Sequence, residues 1–150
     1  MKPSILLIDD DFVVLHVLSW QLEAADFSVT AVSSGSDAIS ALLGAKFDLV
    51  ITDLVMEGID GFEVLMTAKK MAPLTPVVIM SGHGEASIDA FRLGADDFLL
   101  KPFDIEELSF TIQYLLNRDR QHFQMRSSNL KVSRSPGRIS DPSRSKSIES

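Results

Sequence analysis

Five short apolar runs, each followed by an amphipathic stretch, constrain this chain more than any other feature. The runs are Ser4–Ile8, Ser28–Val32, 48–52, 76–80 and Asp97–Leu100. The first, third and fourth are nearly continuous Ile, Leu and Val, the pattern of strands buried on both faces of a parallel sheet. The stretches between them read as helices over about 11–25, 36–43, Gly61–Met71 and 85–93, with a fifth after Pro102 reaching about residue 117 or beyond. Gly44 and Gly94 mark helix ends, and Asp104 is a suitable N-cap. Strict strand–helix alternation calls for right-handed crossovers. The expected fold is therefore α/β, a doubly wound five-stranded parallel sheet in the order 2-1-3-4-5, flavodoxin-like with three layers.

The net charge of −7 hides an uneven distribution. Residues 1–117 hold 18 acidic and 6 basic residues, a formal charge of −12. Residues 118–150 hold 3 acidic and 8 basic residues, a formal charge of +5. An acidic body argues against direct nucleic acid binding by that domain. From about Ser127 the composition turns to Ser, Arg, Pro and Gly without periodicity. The expected division is a domain over 1–120 and a flexible Ser/Arg-rich tail or linker over 121–150. The chain has no cysteine, which removes disulfides, thiolate metal sites and cysteine nucleophiles. No apolar run approaches the ~18 residues of a membrane helix, so a cytoplasmic protein with no membrane partner is expected.

In a doubly wound sheet, chemistry gathers beyond the carboxyl ends of the strands, near the point where strand order reverses. The first strand ends in Asp9-Asp10-Asp11, the third in Asp53, the fourth in Ser81-Gly82 and the fifth in Lys101-Pro102. Carboxylates, a hydroxyl and one ammonium thus meet at one rim. Crowded carboxylates repel and need a cation. With oxygen donors only, the suitable ion is Mg²⁺. A carboxylate can itself attack phosphorus and form an aspartyl phosphate, and Asp53, alone on the central strand, is best placed to do so. Asp11 is expected to open the first helix.

These residues in this order, Asp9-Asp10, then Asp53-Leu54-Val55-Met56-Glu57-Gly58-Ile59-Asp60-Gly61, then Ser81-Gly82, then Lys101-Pro102-Phe103, resemble the receiver domain of two-component response regulators over about residues 4–117. The resemblance implies that Asp53 accepts a phosphoryl group from the phosphohistidine of a histidine kinase or phosphotransfer protein. It implies that Asp10 binds Mg²⁺ directly, Asp9 directly or through water, with the Val55 backbone carbonyl as a further ligand beside Asp53. Ser81 and Lys101 would contact the phosphoryl oxygens. Ser81 and Phe98 would form the switch, and Lys101-Pro102 would be cis. The surface of helix 4, strand 5 and helix 5 would carry the output and could form a homodimer. The domain would be no enzyme beyond intrinsic phosphotransfer and autodephosphorylation.

Three positions depart from the family pattern. Glu57 stands where Pro is frequent, which bears on loop rigidity, metal affinity and dephosphorylation rate. Phe98 lacks the hydroxyl of the alternative Tyr. Asp26 occupies a frequent Gly turn and is expected to adopt the left-handed conformation.

Two other functions fit parts of the pattern. A Mg²⁺-dependent aspartate-nucleophile phosphatase would place its nucleophile at the end of the first strand and needs a cap domain for which few residues remain. A non-phosphorylated interaction module would have no use for a full acidic pocket with Lys101. His16, His83 and His122 have no partners in sequence and read as exposed residues. Trp20, Phe12 and Leu15 on the first helix read as core or helix-edge packing.

Overall fold

A computed structural model describes the backbone of residues 1–132 and side chains through residue 118. The chain divides into two units, Met1–Asp119 and Arg120–Ser150. The first unit contains β1 (Ser4–Ile8), α1 (Phe12–Ala24), β2 (Ser28–Val32), α2 (Gly35–Gly44), β3 (Leu49–Asp53), α3 (Gly61–Met71), β4 (Val77–Ser81), a 3-10 turn at Gly84–Ala86, α4 (Ser87–Arg92) and β5 (Asp97–Leu100). Helix α5 (Ile105–Val132) begins in this unit and continues beyond it. All strand pairs are parallel, in the order β2-β1-β3-β4-β5. This is the fold class the sequence predicts.

Alternate residues of a strand point to opposite faces, and the core divides accordingly. Ile5, Leu7, Ile51, Val78 and Met80 pack against Leu15, Leu18 and Leu22 of α1 and Leu108, Ile112 and Leu115 of α5. Leu6, Ile8, Val50, Val77 and Ile79 pack on the other side against Ala38 of α2, Val64, Leu65 and Ala68 of α3, and Ala90 of α4. The central strands β3 and β4 are buried at every residue, which explains their unbroken apolar runs.

β3 and β4 each lie one residue later than their apolar runs suggest. Asp48 stays outside β3 because its carboxylate accepts hydrogen bonds from the Ser4 N–H at 2.7 Å and the Ser4 hydroxyl at 3.3 Å. Pro76 has no N–H to give to a ladder. The shift brings Asp53 and Ser81 into the sheet, where Asp53 pairs with Met80 and Ser81 with Leu100.

Local signals set the helix ends. The Asp11 carboxylate accepts from Val13 N–H at 2.9 Å and caps α1. Asp26 follows with φ 71°, the left-handed conformation expected there. Helix α4 is shorter than its pattern suggests, because a 3-10 turn precedes it. Gly94, at φ +107°, ends it, with the Ala95 N–H donating to the Ala90 carbonyl.

Helix α5 runs on to Val132, so residues 121–132, expected in the flexible tail, are helical. No Pro or Gly interrupts the sequence between Pro102 and Pro136, and Gln, Met, Arg and Leu are good helix formers. The remainder of the expected tail, 133–150, lies outside the described residues, as does the side chain of His122. Phe12 and Trp20 also depart from expectation. They are 74% and 69% exposed, because α1 turns Leu15, Leu18 and Leu22 to the sheet and leaves these aromatics on its outer side.

Candidate functional site

The carboxyl edge of the sheet collects charged or polar groups from four strands. Asp9 follows β1 and is fully buried. Asp10 beside it is exposed. Asp53 ends β3 with 8% of its surface exposed, and Ser81 ends β4 with 1% exposed. Lys101 follows β5, and its peptide bond to Pro102 is cis, as expected.

Carboxylate oxygens of Asp9, Asp10 and Asp53 lie within 4.8 Å of one another. The Lys101 Nζ sits 3.0 Å from Asp9 Oδ2 and 3.3 Å from Asp53 Oδ1. The local balance is three negative charges against one positive. Two like charges at this spacing oppose each other by roughly 3–4 kcal/mol at an effective dielectric of ~20. Burial and the nearby Asp9 charge raise the Asp53 carboxyl above its ordinary value, and Lys101 only partly opposes them. For Lys101, burial favours the neutral amine, but the hydrogen bond to Asp9 and the charges of Asp53 and Asp9 outweigh it and hold the ammonium above its usual range. The site combines excess negative charge with hard oxygen donors, which fits a small divalent cation.

Backbone donors fix the carboxylates before any ion is considered. The Asp11 N–H donates to Asp9 Oδ1 at 2.9 Å, and the Leu54 N–H donates to Asp53 Oδ1 at 3.0 Å. Asp11 itself points to α1 as its cap and takes no part in the cluster. The Ser81 Oγ accepts from the His83 N–H at 3.0 Å, so in this state its own loop holds the hydroxyl. Lys101 is fixed by its backbone as well, donating its N–H to the Ser81 carbonyl at 2.8 Å.

Val55 follows this edge and is 61% exposed. Phe98 lies on β5, half-buried against the α2–α3–α4 side of the core. Glu57 is exposed in the loop after β3. His83 is exposed, with Nδ1 3.5 Å from Glu85, and His16 is exposed on α1.

The sequence reading did not identify Gly61 as a support of the site. Its N–H donates to the Leu54 carbonyl at 2.8 Å. A methyl group there would collide with the Asp53 carbonyl oxygen and the Leu54 Cα. The first residue of α3 therefore sits directly against the Asp53 backbone, an approach only Gly allows. The Asp60-Gly61 pair was a visible signal, an N-cap followed by Gly where a bulkier helix former would be favoured.

Comparisons with known proteins agree with this geometry. Residues 5–113 match the family model described as the response regulator receiver domain. The heme response regulator HssR of Staphylococcus haemolyticus is 39% identical over 115 residues, covering 75% of this chain and 51% of that protein. The transcriptional regulatory protein FixJ of Bradyrhizobium diazoefficiens is 38% identical over 114 residues, covering 75% of this chain and 56% of that protein. The chain thus spans about half the length of these relatives. A response regulator receiver domain protein from Clostridium thermocellum has a TM-score of 0.75 at 32% identity, covering 79% of this chain and 98% of that one. The response regulator protein TrrA from Thermotoga maritima, solved in complex with Mg(2+)-BeF, has a TM-score of 0.71 at 26% identity, covering 77% of this chain and 99% of that one.

Proposed function

Because this chain belongs to the response regulator receiver domain family, we propose that it is a switch that accepts a phosphoryl group on Asp53. The observation that carries this reading is the position of Lys101, whose Nζ reaches both Asp9 and Asp53 within 3.3 Å, inside a cluster of three carboxylates. Asp9, Asp10 and Asp53, with the Val55 backbone carbonyl, would hold Mg²⁺. When bound, the ion supplies the positive charge that offsets the acidic cluster and the oxygens of an incoming phosphoryl group.

An Asp53 carboxylate oxygen attacks phosphorus in line as the P–N bond to the donor imidazole breaks. The donor is a phosphohistidine of a histidine kinase or phosphotransfer protein. Lys101 donates to a phosphoryl oxygen and neutralises part of its charge. Ser81 exchanges the His83 N–H for a phosphoryl oxygen, and Phe98 turns inward behind it. The two shifts alter the face of α4, β5 and α5, where Ile88, Phe91, Leu100, Phe110 and Tyr114 are exposed. That face is the proposed output surface and the proposed seat of a homodimer. Water then hydrolyses the acyl phosphate and resets the switch, with exposed Glu57 as a residue that tunes this rate. The domain does not itself bind nucleic acid, and it works in the cytoplasm. Among the described residues, no helix is long and apolar enough to cross a membrane.

The test is intact mass after incubation with a small-molecule phosphodonor. The wild type is expected to gain one phosphoryl group with Mg²⁺ present and far less without it. Equal labelling of Asp53→Ala would sink the assignment. Sustained turnover of an external phosphate ester would favour a phosphatase instead.

A further inference from the structure

β5 is a short edge strand with a charged contact at each end. At one end Lys101 reaches Asp9 and Asp53. At the other end Asp96 collects donors from three elements. Lys69 of α3 donates to Asp96 Oδ2 at 2.6 Å, and the Val77 N–H of β4 donates to the same oxygen at 2.8 Å. Arg118 of α5 donates to Oδ1 at 2.8 Å. The two side-chain donors differ in exposure. The Lys69 side chain is 19% exposed and also donates to the Thr75 carbonyl at 2.9 Å. The Arg118 side chain is 39% exposed. Loss of Arg118 leaves Asp96 still paired with Lys69 and Val77.

The place of Arg118 in α5 gives this difference a use. Leu115 is buried and Leu116 packs on the core. Arg118 lies two residues further on, one residue before the first unit ends at Asp119, and the helix continues to Val132. We propose that the Arg118–Asp96 pair is a releasable latch that holds the turn of α5 around Arg118 to the root of β5 and relays the state of that strand along the helix. The relay half of this inference rests on the phosphoacceptor reading; the latch half does not. Arg118 acts as a positioning residue through Asp96.

Amide hydrogen exchange over residues 117–124, in the full chain, tests both halves. In the resting protein, Arg118→Gln is expected to exchange about fivefold faster there than the wild type, with Arg118→Lys in between. Equal exchange in the wild type and Arg118→Gln overturns the latch. After treatment with a small phosphodonor and Mg²⁺, with mass gain read in the same samples, the wild type is expected to change its exchange over 117–124. Arg118→Gln is expected to gain the same mass without that change. A response in Arg118→Gln equal to that of the wild type overturns the relay. A wild type that gains no mass refutes the relay together with the phosphoacceptor reading, while the resting comparison still decides the latch.

Discussion

The Lys101 ammonium lies 3.3 Å from the Asp53 carboxylate and 3.0 Å from that of Asp9. One cation therefore serves two anions that come from different strands. Lys101→Ala is expected to leave both carboxylates without their shared partner. Removing one member of a buried charge cluster costs about 3 kcal/mol. Urea denaturation in metal-free buffer at neutral pH checks this, and an unchanged midpoint would contradict it.

The sign reverses for Asp53. Its folded value lies above the ordinary 3.8, so the folded state holds the proton more tightly than the unfolded chain. The group therefore costs nothing well below 3.8 and opposes folding increasingly as pH rises through the raised value. Asp53→Asn is expected to raise the metal-free midpoint at neutral pH. Added Mg²⁺ should raise the wild-type midpoint and narrow that gap. Thermal melts of both proteins, with and without Mg²⁺, measure it. A variant less stable than the wild type in metal-free buffer would count against the electrostatic argument.

Asp96 behaves in the opposite way. Burial alone would raise its carboxyl, but hydrogen bonds from Lys69, Arg118 and the Val77 N–H outweigh burial and hold it below the ordinary 3.8. Its stabilisation is present above 3.8 and is lost as pH falls through the depressed value. Asp96→Asn is expected to be less stable than the wild type by about 2 kcal/mol at neutral pH. The gap should close only on the acid side of 3.8. Denaturant midpoints taken across that range check the direction.

Gly61→Ala would press a methyl group onto the Asp53 carbonyl and the Leu54 Cα. Overpacking of this kind costs about 1–3 kcal/mol. Because the displaced atoms belong to the backbone of Asp53, phosphoryl uptake should fall more than stability does. Comparing labelling rate with melting midpoint separates the two. Parallel, proportionate losses would mean that Gly61 supports the fold alone.

Much of this was readable from placement. The alternation of apolar runs with amphipathic stretches predicts the sheet order, and the strand ends bring Asp9, Asp10, Asp53, Ser81 and Lys101 to one edge. Boundaries were less legible. Asp48 and Pro76 begin their runs in sequence but not in the sheet, because one spends its carboxylate on Ser4 and the other has no N–H. Phe12 and Trp20 look like core from composition, yet helical phase turns them outward. The group of Lys69, Asp96 and Arg118 left no trace in spacing, because its members come from three separate elements. The close approach of Gly61 to Asp53 is likewise a tertiary contact, hinted at only by a glycine in the first helical position.

The most direct measurement of the central claim is chemical trapping of the modified residue. After brief treatment with a small phosphodonor and Mg²⁺, borohydride reduction converts an aspartyl phosphate to homoserine, which peptide mass mapping can locate. Conversion at Asp53, with Asp9 and Asp10 unaltered, is the expected result. Conversion at Asp9 or Asp10, or none anywhere in a fully folded sample, would contradict the assignment.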